Sequence, residues 1–194
     1  PVLWDRQTRE IVNNESSDIV RMFNGEFGAF ARRDVHLYPE ALRAEIDAVN
    51  AFVYENVNNG VYRCGFASSQ QVYERAFERL FDALDRLEAI LATSRYLVGD
   101  RMTEADWRLF PALLRFDAVY YSHFKCNRNR LIDFRHLSNY VRELYRTPGI
   151  AATVNFDHIK RHYFRSHTHL NPSGIVPSGP ALDFGAQHDR GRLA

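Results

Sequence analysis

Residues 69–93 read SQQVYERAFERLFDALDRLEAILAT, and within them Tyr73, Phe77, Leu80, Leu84, Leu87 and Leu91 recur at steps of three and four. That spacing puts six large apolar side chains on one side of an α-helix and leaves the charged residues on the other. A helix of this kind cannot stay single in water; it has to bury its stripe against other helices.

Downstream, YLVGDRMTEADWRLFPALLRF (96–116) carries a readable helix start. Thr103 is placed as the N-cap, and Asp106 three residues on makes a short-armed version of the capping box. Met102 before the cap and Trp107 four after it match a hydrophobic staple. Pro111 lies too deep for a first-turn proline, so a kink is expected there. Upstream, a helix is expected from about Pro39, with Leu42, Ile46, Val49, Val53 and Val57 on its inner side and Gly60 ending or interrupting it. Ile19, Val20, Met22 and Phe23 give a further helical face starting near Glu15. Two more helices are expected at about Leu137 to Arg146 and Pro148 to Tyr163. The chain reads as mainly α.

The two ends read differently. Val2 to Trp4 and Ile11–Val12 flank a polar stretch, which predicts a short β-hairpin; two strands alone are marginal in water, so a neighbour is implied. After His169 the Gly- and Pro-rich run to Ala194 has no period and is expected to be an extended arm or a partly disordered tail. A chain that opens on Pro1 rather than on methionine suggests a processed product or a piece cut from something longer.

Composition narrows the function classes. The 194 residues are 45% hydrophobic and 25% charged, with 25 Lys and Arg against 24 Asp and Glu. No net field draws in nucleic acid or an anionic membrane, and Arg128 to Arg130 read as a solvated loop. No run of about 18 apolar residues spans a bilayer. Cys64 and Cys126 are too few for a disulfide framework, which favours a cytoplasmic location.

Four stretches carry a family resemblance: PVLWD…NNESS, GVYRCGFA, FDAVYYSHFKCN, and VNFDHIKRHYFRSH with its trailing NPSGIVPSGP. Together they resemble the glutathionyl-hydroquinone reductases, the Xi class of glutathione transferases, over essentially the whole chain. The resemblance implies a helical bundle like the C-terminal domain of a glutathione S-transferase, preceded by a hairpin-and-helix remnant of a thioredoxin-like domain. On this reading residues 1–24 are the remnant, 25–169 the all-α domain and 170–194 the arm. It also implies glutathione as co-substrate, glutathionylated quinols as substrates and a homodimer formed through helical surfaces. The Cys-Pro-Trp-Ala type motif that carries the family's nucleophile has no counterpart here, so the isolated chain is expected to be inactive. The alternative is a non-catalytic binding or dimerisation module.

The candidate site follows residue by residue. By themselves Glu15 and Ser16 cap a helix, where free N–H groups and the helix dipole also suit an anion. The resemblance assigns Glu15 and Ser16 to the γ-glutamyl end of glutathione and the backbone of Val2 to its cysteinyl part, with Pro1 matching the family's cis-proline. Tyr62 and Tyr163 sit in polar or basic surroundings, where a phenol can donate to a quinol oxygen or act as a general acid. Ten tyrosines are present, so it is the resemblance that selects these two as the catalytic pair, with Tyr120 and Tyr121 as competing phenols. His158, His162, His167 and His169 have a spacing that could ligate zinc; basic, aromatic helices also carry histidines as ordinary surface residues, and no metal is expected. Cys64 and Cys126 read as small buried residues and not as nucleophiles.

Overall fold

The computed structural model describes residues 1–31 and 35–193. The chain begins as a two-stranded antiparallel hairpin, β1 (Leu3–Asp5) and β2 (Glu10–Asn13), with a bulge beside Leu3. Its turn closes on the Asp5 carboxylate, whose Oδ1 accepts the N–H of Gln7 (2.7 Å) and of Thr8 (3.1 Å). Helix α1 (Ser16–Gly25) follows, then α2 (Arg43–Val53), α3 (Gly60–Gly65), α4 (Gln70–Thr93), α5 (Glu104–Arg115), a one-turn α6 (Tyr121–His123), α7 (Arg135–Tyr145) and α8 (Phe156–Ser166). The body is thus a helical bundle beside a small two-stranded sheet.

Helix α4 is its axis. Leu80, Leu84, Leu87 and Leu91 are all but inaccessible, while Tyr73 and Phe77 sit at the half-buried edge of the same stripe. Against α4 pack α3 and α7, and α2 packs against α5. Ser69 caps α4, its hydroxyl accepting from the Val72 N–H at 3.4 Å.

The interruption expected at Gly60 is present: α2 ends at Val53, a π-helical turn follows over Tyr54–Asn58, and the chain resumes as α3 at Gly60. A Cβ on Gly60 would stand in ordinary contact, 3.4 Å from Leu80 Cδ1. The last helix cannot start at Pro148, because Gly149 takes a left-handed φ of 92°. It begins at Phe156, where the Asn155 side chain accepts the His158 N–H at 3.0 Å. Helix α5 runs through Pro111 and passes into a second π-helical turn, Phe116–Tyr120.

The capping box at Thr103 is present and does more than cap. Asp106, fully buried, accepts through Oδ2 from the Thr103 N–H (2.8 Å) and hydroxyl (3.2 Å), and through Oδ1 from the Leu97 N–H (3.0 Å) and the Tyr140 hydroxyl (2.6 Å). One carboxylate thereby ties α5, the 94–97 loop and α7 together. Burial pulls its pKa up, against hydrogen bonds that favour the ionised form.

The C-terminal arm is extended but not loose. Lys160 on α8 donates to the carbonyls of Pro177, Ser178 and Gly179 (3.3, 2.9 and 2.8 Å). Phe184 stacks on Phe156 with centroids 5.7 Å apart. Arg190 is fully buried: it pairs with Glu143 (3.1 Å) and donates to the carbonyls of Leu91 (2.9 Å), Ser94 (2.9 Å) and Arg95, closing the C-terminal end of α4. Composition predicts irregularity correctly; it does not register that a single arginine anchors the end.

Two stability outcomes follow. Asp106→Ala leaves four donors without their acceptor in the core and is expected to cost about 3–5 kcal/mol in urea unfolding, with Asp106→Asn recovering part. Arg190→Ala removes the α4 plug while Arg95 still pairs with Glu143, so a loss of about 2–3 kcal/mol is expected in the same measurement.

Candidate functional site

Helix α1 brings its N-terminus to the bundle through charge. Arg21 reaches Glu104, 1% exposed at the start of α5, with Nε at 2.9 Å, and also pairs with Asp47 of α2. Glu104 further accepts from Asn50 (2.9 Å) and Arg108 (3.3 Å), and the Arg21 guanidinium lies 3.9 Å from the Tyr38 ring centroid. These contacts aim the first turn of α1 along one side of α5.

Between them opens a cleft of about 640 Å³. Pro1, Glu15, Ser16 and Ser17 form one wall; Tyr62, Tyr120 and Tyr163 form the other, with Trp107, Arg108 and Arg115 along α5 between. Four of the five residues proposed from sequence therefore meet in one space. Val2 does not line it, and its side chain is 60% exposed; Pro1 is the lining residue at that end, and the contact expected of Val2 is a backbone one.

The N-cap of α1 is Glu15, whose carboxylate accepts from the Ser17 N–H at 3.3 Å and the Ser17 hydroxyl at 3.2 Å. The three phenols are linked. Tyr163 Oη lies 2.7 Å from Tyr62 Oη and 3.0 Å from Tyr120 Oη. Tyr120, one of the two competing phenols, is thus a partner in the cluster, whereas Tyr121 faces a different cavity. Burial, then the Tyr163 hydroxyl, pushes the Tyr62 pKa up; burial and Tyr163 do the same to Tyr120. Both stay protonated at neutral pH. Three hydroxyl hydrogens serve two mutual bonds, so one is left to donate to whatever enters the cleft.

Sequence reasoning missed Trp107, Arg108 and Arg115 as lining residues. Arg115 donates to the Pro111 carbonyl at 2.9 Å and has no ion-pair partner among the described residues. An arginine at the end of an amphipathic helix reads as solvated, and only the turn of α5 toward α1 makes it a cleft residue.

The other candidates fall elsewhere. Cys64 and Cys126 are both buried free thiols and neither lines the cleft; burial pushes the Cys126 thiol up. Among the described residues no group of three or more His, Cys, Asp or Glu side chains is placed to hold a metal ion. His158 faces a separate chamber, while His167 makes a 3.1 Å contact, Nδ1 to Nε2, with the buried His123. Arg128 is paired with Asp85 and Arg130 with Asp133, so this basic cluster is neutralised locally. Among the described residues no helix is long and apolar enough to cross a membrane.

The body of the chain is a glutathione S-transferase C-terminal domain, the family model of that description matching residues 70–146. Among curated relatives, the Escherichia coli protein named glutathionyl-hydroquinone reductase YqjG is 50% identical over 190 residues, 98% of this chain and 58% of that protein. The solved structure of glutathione-bound YqjG superposes with a TM-score of 0.95 at 50% identity, covering 98% of this chain and 62% of the other. A Xi-class glutathione transferase from Natrialba magadii superposes at 0.97, again 50% identical, over 100% of this chain and 59% of its own. Over nearly its whole length the chain is similar to Xi-class glutathione transferases, and it spans 58% of the length of YqjG.

His123 gives the site's surroundings a pH dependence. Burial, then the positive fields of His167, Lys125 and His169, push its pKa down to about 4. The folded state holds fewer protons on it than the unfolded state between about pH 6.5 and 4, so its contribution is complete above that window and is lost as pH falls through it. Unfolding free energies from urea titrations between pH 7 and 4 are expected to fall, by up to about 1.4 kcal/mol per pH unit for this group. His123→Leu should flatten that part of the profile.

Proposed function

We propose that this chain supplies the quinol pocket and part of the glutathione site of an enzyme that reduces glutathionyl-hydroquinones to hydroquinones. The observation that carries the reading is the cleft itself: Glu15 and Ser16 face Tyr62 and Tyr163 across a single space, and the family resemblance assigns the first pair to glutathione and the second to the quinol. In the proposed reaction a cysteine thiolate attacks the sulfur of the thioether, the aryl carbon takes a proton, and hydroquinone leaves. A mixed disulfide between the cysteine and glutathione remains, and a second glutathione thiolate attacks it to give glutathione disulfide and the free thiolate. Tyr62 and Tyr163 hold the quinol oxygens and supply protons. Ser16 and the α1 N-terminus meet the γ-glutamyl carboxylate, Glu15 meets the ammonium, and Arg115 offers a further cation to the anionic peptide.

The exposed apolar surface supports the view of residues 1–24 as the last part of a thioredoxin-like domain. Of thirteen large apolar side chains exposed among the described residues, eight lie in the first 35, including Trp4, Ile11, Val12, Phe23 and Phe30. Such a surface is what a domain shows where a neighbour packs. On this reading residues 25–169 are the all-α domain, 170–194 the arm, and the nucleophile belongs to a segment of the longer protein. A homodimer through the helical body and a cytoplasmic location complete the proposal.

The burial of both cysteines away from the cleft favours a second reading, a binding module without turnover. Kinetics separate the two. The 194-residue chain, incubated with glutathione and glutathionyl-menadiol, is expected to show no turnover. Extended to the length of its relatives it should turn over, and Tyr62→Phe or Tyr163→Phe should each lower kcat/KM about tenfold. No activity in the extended protein would leave the binding module standing.

A further inference from the structure

The cleft has an annex that none of the assigned roles uses. Trp107, Pro111 and Arg115 are four residues apart and form a straight ridge along α5. On one side of that ridge Arg108 and Ala112 face the tyrosine cleft. On the other, Phe110 and Leu114 face a second chamber of about 470 Å³, and all three ridge residues line both spaces. The chamber's far wall is Ile150, Val154 and Ile159, from the turn before α8 and from α8 itself. Pro111 is exposed, so the crest of the ridge is open to a ligand crossing it. The Arg115 guanidinium turns back onto the Pro111 carbonyl, which leaves its methylene stem as part of the crest.

Hydroxyls, a carboxylate and a helix N-terminus lie among the residues of the first chamber. Seven of the eleven residues around the second are Trp, Phe, Pro, Leu, Ile or Val. Its polar members are Arg115, Thr153, Asn155 and His158; the last three are exposed, and the Asn155 side chain is already committed to capping α8. A space of this size beside the tyrosine cleft, with an aliphatic and aromatic band and no buried charge, suits an apolar substituent of a ligand whose polar head sits in the cleft.

We propose that the site accepts hydroquinones bearing an extended apolar chain, alkyl or isoprenoid, with the ring at Tyr62 and Tyr163 and the chain laid over the Trp107–Pro111–Arg115 ridge into the second chamber. This rests on the quinol reading above and deepens it. It makes the pocket selective for lipophilic quinols where the tyrosines alone would take any quinol of the right ring size.

Calorimetric titration of the 194-residue chain under anaerobic conditions tests it, with glutathionyl-naphthohydroquinone and its octyl-substituted derivative as probes. The octyl derivative is expected to bind at least about tenfold more tightly. Val154→Asp, and Thr153→Phe, which fills the chamber from an exposed position, should each abolish that gain and leave the unsubstituted conjugate unchanged. Ile132→Ser, at an exposed position in a different cavity, should preserve it. Equal affinity for the two probes, or a gain that survives both chamber variants, overturns the proposal and leaves the quinol reading intact. Failure of both probes to bind overturns the quinol reading and this inference with it.

Discussion

The bundle depends on the carboxylate of Asp106. Two oxygens in the core accept four hydrogen bonds, from Thr103 twice, Leu97 and Tyr140. Without them the start of α5 would hold unsatisfied N–H groups at the centre of the molecule, where each costs about 1–3 kcal/mol. With them, the direction of α5 is fixed relative to α7 and to the loop that leaves α4. Everything the site needs from α5, from Glu104 at its first turn to Arg115 at its last, inherits that direction.

Glu104 is the next link. Its side chain takes Arg21 from one side and Asn50 and Arg108 from others, in a space where an unpaired carboxylate would be strongly disfavoured. The network holds α1 to the bundle although α1 buries only Ile19. The apolar contact is thin, and charge carries the attachment. This explains how a helix with exposed Val20 and Phe23 still presents Glu15 and Ser16 at a defined place.

Much of this was legible in the sequence, and what was not has a physical reason. The stripe of α4 and the Thr103–Asp106 box are local patterns, and local patterns survive translation into structure. The hairpin was read from two short apolar runs around a polar turn, but the pairing of Glu15 and Ser16 with Tyr62 and Tyr163 came from resemblance, since no spacing rule joins residues so far apart in the chain. Arg190 was invisible because its partners are three backbone carbonyls and a glutamate from distant elements, and an arginine in a Gly-rich tail gives no sign of burial. Trp107 and Arg115 were readable as helix residues but not as cleft residues, because the side of α5 they share is set by where α1 docks.

The three linked phenols also act as one unit. Tyr120 is the buried end of the row and Tyr62 the half-buried one, and all three line the cleft. Tyr163 shares a bond with each of the others, and in each bond either oxygen can donate. Three hydrogens in two bonds leave one over. An acceptor that takes a hydrogen from any one phenol therefore fixes the direction of the remaining links, and their mutual polarisation strengthens the donor it meets.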